Sequence, residues 1–394
     1  MDSKNTRDFI PFGVPVIEEE DIQAVVDVLR SKWIGTGPKV LEFEKVFADY
    51  IGSPYARAVS SCTAALHLAL LAAELKLDDE VITTSMTFVA TVNAIEHAGC
   101  TPVLVDIEPS TFNICPDEIE RAITKKTRAI MPVHFGGLPC NMERIHEIAE
   151  CHGLVVIEDA AHAVGGMFGN RRIGSLPGSM ATCFSFYPNK NMTTIEGGMV
   201  TTSSEVVAKK IELTRLHGQD REAWRRYSAG SELMLAEAVT DGFKYNMTDV
   251  SAALGLVQLS RVERFLERRE EIAKIYDRLL EGLPCMSQYR PMRGRSERHA
   301  LHLYVVELET EKINTHRNHI VQEMRDQGIG VALHYKAVHL HAHFQGRTEC
   351  RGSLVNTERV SESIFTLPIT PTLTDEQVHF IGTTCAEVIA SHRR

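Results

Sequence analysis

The sequence predicts an α/β protein. Its large domain is built on a mostly parallel sheet of the seven-stranded type flanked by helices, and a smaller α+β domain comes after it. Three observations carry this. Short apolar runs alternate with helical patterns through the first half of the chain, as in sheets covered on both faces. The texture changes near Thr248, where a long, charged helical pattern begins. The length of 394 residues exceeds what one ordinary core organises. The expected division is an N-terminal segment 1–13, a large domain 14–248 and a small domain 249–394.

In chain order, "EEEDIQAVVDVLRS" places Ile22, Val25, Val26 and Leu29 at helical spacing behind a run of acids, which favours a helix start. "WIGTGPKV" interrupts it, and "VLEFEKVFADYIG" resumes a helix. Strands are expected at "YARAVS", "DEVITT", "TPVLVDI", "TRAIMPVHF", "LVVIEDA", "ATCFSFY" and "GGMVTT". Helices fall between them at "TAALHLALLAAEL", "TFVATVNAIEHAG", "PDEIERAIT" and "MERIHEIAECHG". From Thr248, "TDVSAALGLVQLSRVERFLERREEIAKIYDRLLEGL" reads as one long helix. It precedes a strand in "ALHLYVVELE", a helix around "HRNHIVQEMRDQG", the strand-like "IGVALHY" and a closing helix from Thr374. "SQYRPMRGRSERHA" is expected to be a mobile surface loop.

Composition narrows the function. The chain is 44% hydrophobic and 24% charged, as globular domains are. Its net charge of −10 argues against a nucleic-acid binder, which needs a basic face. The nine cysteines are scattered without a C-x-x-C pair, which predicts free thiols in a reducing compartment. The N-terminus has no apolar core segment, and "AALHLALLAAEL" is too short to span a bilayer. A cytoplasmic protein with no membrane or nucleic-acid partner is expected.

Three stretches could carry chemistry. In "AVSSCTAALHLAL" the hydroxyls of Ser60, Ser61 and Thr63 meet the free N–H groups of a helix start, which suits a phosphate or simple capping. In "VVIEDAAHAVGG", Glu158 and Asp159 end a strand, where α/β sheets place ligands; the alternative is an acid that caps the next helix. In "SFYPNKN", Lys190 comes after another strand of the same domain. Pyridoxal phosphate (PLP) asks for all three together: a lysine for its aldehyde, a carboxylate for its ring nitrogen and a donor-rich helix start for its phosphate. Phe88, at the head of another helix, could cover the ring face.

With these residues in place, the chain resembles the DegT/DnrJ/EryC1/StrS family of PLP-dependent sugar aminotransferases, which have the fold type I architecture. The matching stretches include "GTGPKVLEFEKVFADYIG", "DEVITTSMTFVATVNAI", "IEDAAHAVGG", "SFYPNKNMTTIEGGMVTT", "GFKYNMTDVSAALGLVQL" and "LHYKAVHLHAHF". The resemblance implies that Lys190 is the Schiff-base lysine and proton shuttle and that Asp159 pairs with the pyridinium nitrogen. It implies that His162 lies near the ring, that Phe88 stacks on it, and that Ser61, Cys62 and Thr63 hold the phosphate with Ser185. It also implies a homodimer, in which a loop of the second subunit completes the site. That loop commonly reads G-Y-N-Y-R. Here it is "GFKYN", with Lys244 and Asn246 in the Asn and Arg positions, so these two are the candidates for the contact across the dimer.

The implied substrates are L-glutamate and a nucleotide-linked keto sugar. The "KYN" version leans toward C4 of a 4-keto-6-deoxy sugar; C3 amination or an inosose are alternatives. Substrate contacts are expected in "WIGTGP", around Arg221–Arg226 and in "HYKAVHLHAHF". Related dehydratases replace the lysine with histidine, so Lys190 favours transamination over sugar dehydration and over a non-catalytic PLP or sugar sensor. No G-x-G-x-x-G follows the first strand, which weighs against a dinucleotide enzyme. His334, His339, His341 and His343 recur on a segment expected to be extended, a pattern that could bind zinc, but no cysteine or carboxylate completes a set and no metal is expected. His217 is expected either in a loop near the site or satisfied structurally.

Overall fold

Strands covered on both faces need largely apolar character, and residues 55–202 supply short runs of it. The computed structural model describes residues 8–220, 237–289 and 297–394. Its main sheet takes β1 (Tyr55–Val59), β2 (Glu80–Thr84), β3 (Thr101–Val105), β4 (Thr127–Ile130) and β5 (Val155–Asp159) from this region. After a small ribbon of β6 (Met167–Phe168) and β7 (Arg171–Arg172) come β8 (Ala181–Ser185) and β9 (Gly198–Thr202). An eighth strand, β12 (Glu349–Cys350), adds to the edge, giving the order β1-β9-β8-β5-β4-β2-β3-β12. Neighbours from β12 to β8 pair in parallel, and only β9 runs against β1 and β8. The seven expected strands are therefore all present. The eighth comes from the distant C-terminal part of the chain.

Helices α3 (Cys62–Ala72), α4 (Val89–His97), α5 (Pro116–Ala122), α6 (Met142–His152) and α7 (Glu205–Thr214) connect or flank these strands. Two apolar cores result. One contains Phe43, Phe47, Phe184 and Phe186; the other contains Leu66, Leu68, Leu70 and Val200. A separate three-stranded antiparallel sheet, β10 (Cys285–Ser287), β11 (Tyr304–Leu308) and β13 (Ile364–Leu367), has the order β10-β11-β13. It shares a further core with Ile272, Tyr276, Ile381 and Ile389.

Four expectations need correction. The long helix after Thr248 is two helices, α8 (Asp249–Ser260) and α9 (Val262–Leu279). They break at Arg261, whose buried guanidinium is held by Glu18 and, at 2.6 Å, by Asp21. α8 packs on α1 (Glu19–Ser31) and α2 (Pro38–Ile51), whereas α9 joins α10 (Arg317–Asp326) in the core of the small sheet. The apolar stripe of α1 does not face the interior. Ile22 and Leu29 are about half exposed, while Asp21 is buried against Gln258 and Arg261. "IGVALHY" is not a strand; it makes only isolated bridges, Ile10 with Ile329 and Ala332 with Thr366. The histidine segment is not extended, because Val338–Leu340 forms a 3-10 turn that takes His339 out of alternation. Of the expected mobile loop, residues 290–296 lie outside those described, as does the Arg221–Arg226 cluster. Among the described residues no helix is long and apolar enough to cross a membrane.

Candidate active site

The loops leaving the carboxyl ends of β1, β2, β5 and β8 meet at one edge of the sheet, where parallel α/β sheets bind ligands. There they enclose a cavity of about 450 Å³. Ser61, Cys62, Thr63, Phe88, Asp159, His162, Ser185 and Lys190 all line it. These are eight of the ten residues expected at the site.

Asp159 is the last residue of β5 and is 4% exposed. Its Oδ2 accepts from Thr91 Oγ1 at 2.8 Å, and its Oδ1 accepts from the Ala161 N–H at 3.1 Å. Burial pushes its pKa up against these bonds and against the nearby Lys190. Successive strand side chains point to opposite faces, so Glu158 turns away from the cavity. It accepts from Thr182 Oγ1 at 2.9 Å and meets His134 Nε2 at 2.8 Å, deep in the interior. The Cys140 N–H donates to His134 Nδ1, so Nε2 carries the proton and donates to Glu158. Burial alone would raise the Glu158 pKa; the bond from His134 and its neighbours holds it below the usual value. The adjacent acids thus have different tasks, and only Asp159 reaches the cavity.

The turn from β1 into α3 presents a helix start. Ser61 is the N-cap and accepts from the Ala64 N–H at 3.1 Å, a contact of the kind worth about 1 kcal/mol. The N–H groups of Cys62 and Thr63 open the helix and have no partner within it. The start of β9 presses on this turn. A Cβ on Gly198 would lie 2.6 Å from the carbonyl of Ser61 and 2.7 Å from the Cys62 nitrogen, so only glycine fits. The Cys62 thiol points into the sheet and contacts the Cys183 carbonyl at 3.6 Å, which leaves the backbone facing the cavity. Burial raises that thiol's pKa well above the ordinary value.

Lys190 sits in the loop after β8, its N–H bonded to the Tyr187 carbonyl at 2.9 Å. Burial lowers its pKa to about 8, while Cys62 and Asp159 pull it back up. At pH 8 about half of such amines are neutral, against less than about 1% of an ordinary lysine. Its Nζ lies 3.4 Å from His302 Nε2. His162 is fixed by two bonds. The Gly136 N–H reaches Nδ1 at 3.2 Å, so Nε2 carries the proton and donates to the Tyr335 oxygen at 3.1 Å. Burial, with Lys190 and His334 adding to it, keeps His162 neutral by pushing its pKa well down. The Phe88 ring is 57% exposed at the cavity and lies 5.9 Å from the Tyr335 ring.

Other expected residues lie elsewhere in the chain. Lys244 and Asn246 do not line the cavity. Lys244 Nζ donates to Asn246 Oδ1 at 2.6 Å, and Asn246 Nδ2 donates to Thr36 Oγ1 at 2.6 Å. The loop is held beside the β1–α3 turn by the Ser60 N–H, which donates to the Tyr245 carbonyl at 2.7 Å. The same contacts tie it to the "WIGTGP" loop, also outside the cavity. His217 is absent from the lining, and its N–H bonds the Phe243 carbonyl. In the histidine segment only His334 reaches the cavity; His339 contacts Ser85 and Glu358. No cluster of three or more His, Cys, Asp or Glu fit to hold a metal occurs among the described residues.

Sequence reasoning missed Thr91 and His302, and it placed Tyr335 only as part of the "HYKAVHLHAHF" stretch expected to contact substrate. Thr91 was legible in principle, since it lies three residues beyond Phe88 and so near the same face. His302 comes from the C-terminal part of the chain, and no local pattern marks it.

The comparisons with known proteins identify the family and the fold. The model of the DegT/DnrJ/EryC1/StrS aminotransferase family matches residues 15–385. The spore coat polysaccharide biosynthesis protein SpsC of Bacillus subtilis is 42% identical over 372 residues, 94% of each chain. An uncharacterized protein of Methanocaldococcus jannaschii is 44% identical over 98% of this chain and 99% of its own. Among solved structures, a putative sugar aminotransferase of Streptococcus pneumoniae in its PMP form superposes with a TM-score of 0.90 at 34% identity, covering 97% of this chain and 99% of that one. Helicobacter pylori PseC, an aminotransferase involved in the biosynthesis of pseudoaminic acid, gives a TM-score of 0.89 at 28% identity, covering 98% and 100%.

Proposed function

Since the chain belongs to the DegT/DnrJ/EryC1/StrS aminotransferase family, we propose that it moves an amino group from L-glutamate to a nucleotide-linked keto sugar, at C4 of a 4-keto-6-deoxy sugar. The protein is a PLP-dependent sugar aminotransferase with the fold type I architecture. Transamination at this site is supported by one observation: an amine of lowered pKa, a buried carboxylate and an open helix start line the same cavity; the C4 acceptor is supported by the "KYN" form of the loop at Lys244–Asn246. The cavity volume is in the range of cofactor sites. The donor set fits PLP, and the Gly198 contact leaves the Ser61–Thr63 backbone free for a phosphate.

When bound, PLP supplies an aldehyde that carries the amino group and a ring that takes up the electron pair of a broken C–H bond. The chain's residues do the rest. The amides of Cys62 and Thr63, with the Ser61, Thr63 and Ser185 hydroxyls, would hold the phosphate. Asp159, oriented by Thr91, would hold a proton at the ring nitrogen. Phe88 and His162, the latter neutral and tied to Tyr335, would confine the ring. Lys190 would bind the aldehyde and, as the free amine, would move a proton from the donor Cα and to the sugar carbon.

The test is a visible absorbance spectrum with PLP. Wild type should show a band that bleaches with L-glutamate, and Lys190→Ala should show neither band nor turnover. An alanine variant that bound PLP and turned over as wild type does would sink the assignment. Nucleotide-linked 4-keto, 3-keto sugars and inososes, offered to the glutamate-treated enzyme, then sort the acceptor.

The reading includes a homodimer with shared sites. It is supported by the exposed stripe of α1 and by Lys244 and Asn246 lying outside their own cavity. Mixing Lys190→Ala subunits with subunits changed to alanine at both Lys244 and Asn246 should restore activity that neither parent has. Mixed dimers that form but stay inactive would refute the sharing.

A further inference from the structure

Behind Lys190, on the side away from the open cavity, lies a buried imidazole without an assigned role. His302 is 3% exposed, and its ring centroid is 4.4 Å from that of His162. Its Nε2 is 3.4 Å from Lys190 Nζ, and its Nδ1 is buried without a hydrogen-bond partner among the described residues. We propose that His302 is a positioning residue for Lys190, donating its Nε2–H to the lone pair of the amine and so holding the lysine as the free base at the rear of the cavity between proton transfers. The proposal rests on Lys190 being the reactive amine.

The tautomer is set by the surroundings of the ring. A hydrogen on Nδ1 would be a buried donor without a partner among the described residues, the costlier kind of orphan. A bare lone pair there is the better tolerated orphan. The proton therefore belongs on Nε2, facing Lys190. A doubly protonated ring is disfavoured by burial and then by the charges and dipoles of Lys190, His162, Arg269 and His334. Arg269 is itself buried, without a carboxylate partner among the described residues. Its Nη1 donates to the Leu301 carbonyl at 3.1 Å and the His302 carbonyl at 3.4 Å, which fixes the backbone that carries the ring. A neutral Nε2–H can bond a neutral amine and has nothing to offer an ammonium, which lacks a lone pair.

The other groups around Lys190 divide by sign. Asp159 at the end of β5 and Cys62 at the head of α3 favour the ammonium. His162, on the loop after β5, spends its own Nε2–H on Tyr335, and His334 is bonded through Nδ1 to Thr366 Oγ1 at 2.7 Å. His302 is thus the group placed to select the free base, opposite the carboxylate that attracts the charged form.

The experiment uses the full chain freed of PLP. Trace acetic anhydride labelling across pH 6–11, with mass spectrometry of the Lys190 peptide, reads the midpoint of that one amine independently of its accessibility. His302→Leu should raise the midpoint by about one unit, a roughly fivefold loss of free base at pH 8. His302→Gln, whose amide can donate from a similar position, should lie closer to wild type. A leucine midpoint that is unchanged or lower overturns the proposal, as does a glutamine variant indistinguishable from leucine. Circular dichroism checks the fold. If the leucine chain does not fold, His302→Asn, too short to reach the amine, carries the same expectation. No cofactor enters the measurement, so its failure is distinct from failure of the absorbance test.

Discussion

At the scale of residues, two neighbouring acids separate chemistry from architecture. Asp159 faces the cavity with a pKa raised by burial; Glu158 faces the interior with its charge stabilised by His134. Asp159→Asn keeps the volume and removes the charge proposed to hold a proton on the ring nitrogen. It should slow the glutamate half-reaction by about 10²–10³-fold in single-turnover absorbance while still binding PLP. An undiminished rate would show that the carboxylate is not the ring's partner. The sequence marked both acids as candidates, yet which one mattered depended on which face of β5 each occupied. Lys190 and the Ser61–Thr63 turn were legible because each comes after a strand of the same sheet. His302 was not, and Tyr335 was legible only as part of a stretch expected to contact substrate. Their partners Lys190 and His162 lie 112 and 173 residues away, and such pairings leave no trace in a local pattern.

At the scale of elements, periodicity identified the helices and strands better than it identified their surroundings. All seven strands of the first half were legible, because each is mostly buried and rich in apolar or β-branched residues between helical patterns. The helix at residues 19–31 was legible too, but its outward side was not. The stripe at Ile22 and Leu29 obeys helical spacing, and the helix docks instead through Asp21, which meets Gln258 and Arg261. The same polar anchor explains why a continuous helical pattern broke at Arg261. A buried guanidinium needs its carboxylates, and this one finds them on α1. "IGVALHY" has the composition of a strand, but its backbone makes only single bridges to segments of unlike origin, Ile10 and Thr366 among them. Composition reports burial there and does not report pairing.

At the scale of the whole molecule, the C-terminal part is sewn onto the large sheet. Arg351 makes a two-pronged bond to Glu80, at 2.6 and 2.9 Å, where β12 joins the edge. Asp106 accepts from the backbone and side chains of both Asn356 and Thr357, at the start of α11 (Val355–Ser363). The Arg351 bond, with help from Thr124 and Thr127, lowers the Glu80 pKa from 4.5 to about 2. A depressed carboxylate stabilises the fold fully above its unfolded value and loses that contribution as pH falls through the folded one. Thermal melts should therefore show stability draining between about pH 4.5 and 2, and Glu80→Gln should flatten that slope. Arg351→Gln, which leaves the Glu80 carboxylate with only the Thr124 and Thr127 hydroxyls, should cost about 1–3 kcal/mol at neutral pH. Equal slopes for Glu80→Gln and wild type would remove the pair from this account. The stitching also has a consequence for synthesis. Lys190, Asp159 and the Ser61–Thr63 turn leave the ribosome long before His334 and Tyr335, which line the same cavity, and before His302 behind Lys190. A nascent chain therefore exposes the Lys190 amine to the cell before it owns a closed pocket, and selective capture of a ligand there has to wait until Tyr335 has been made.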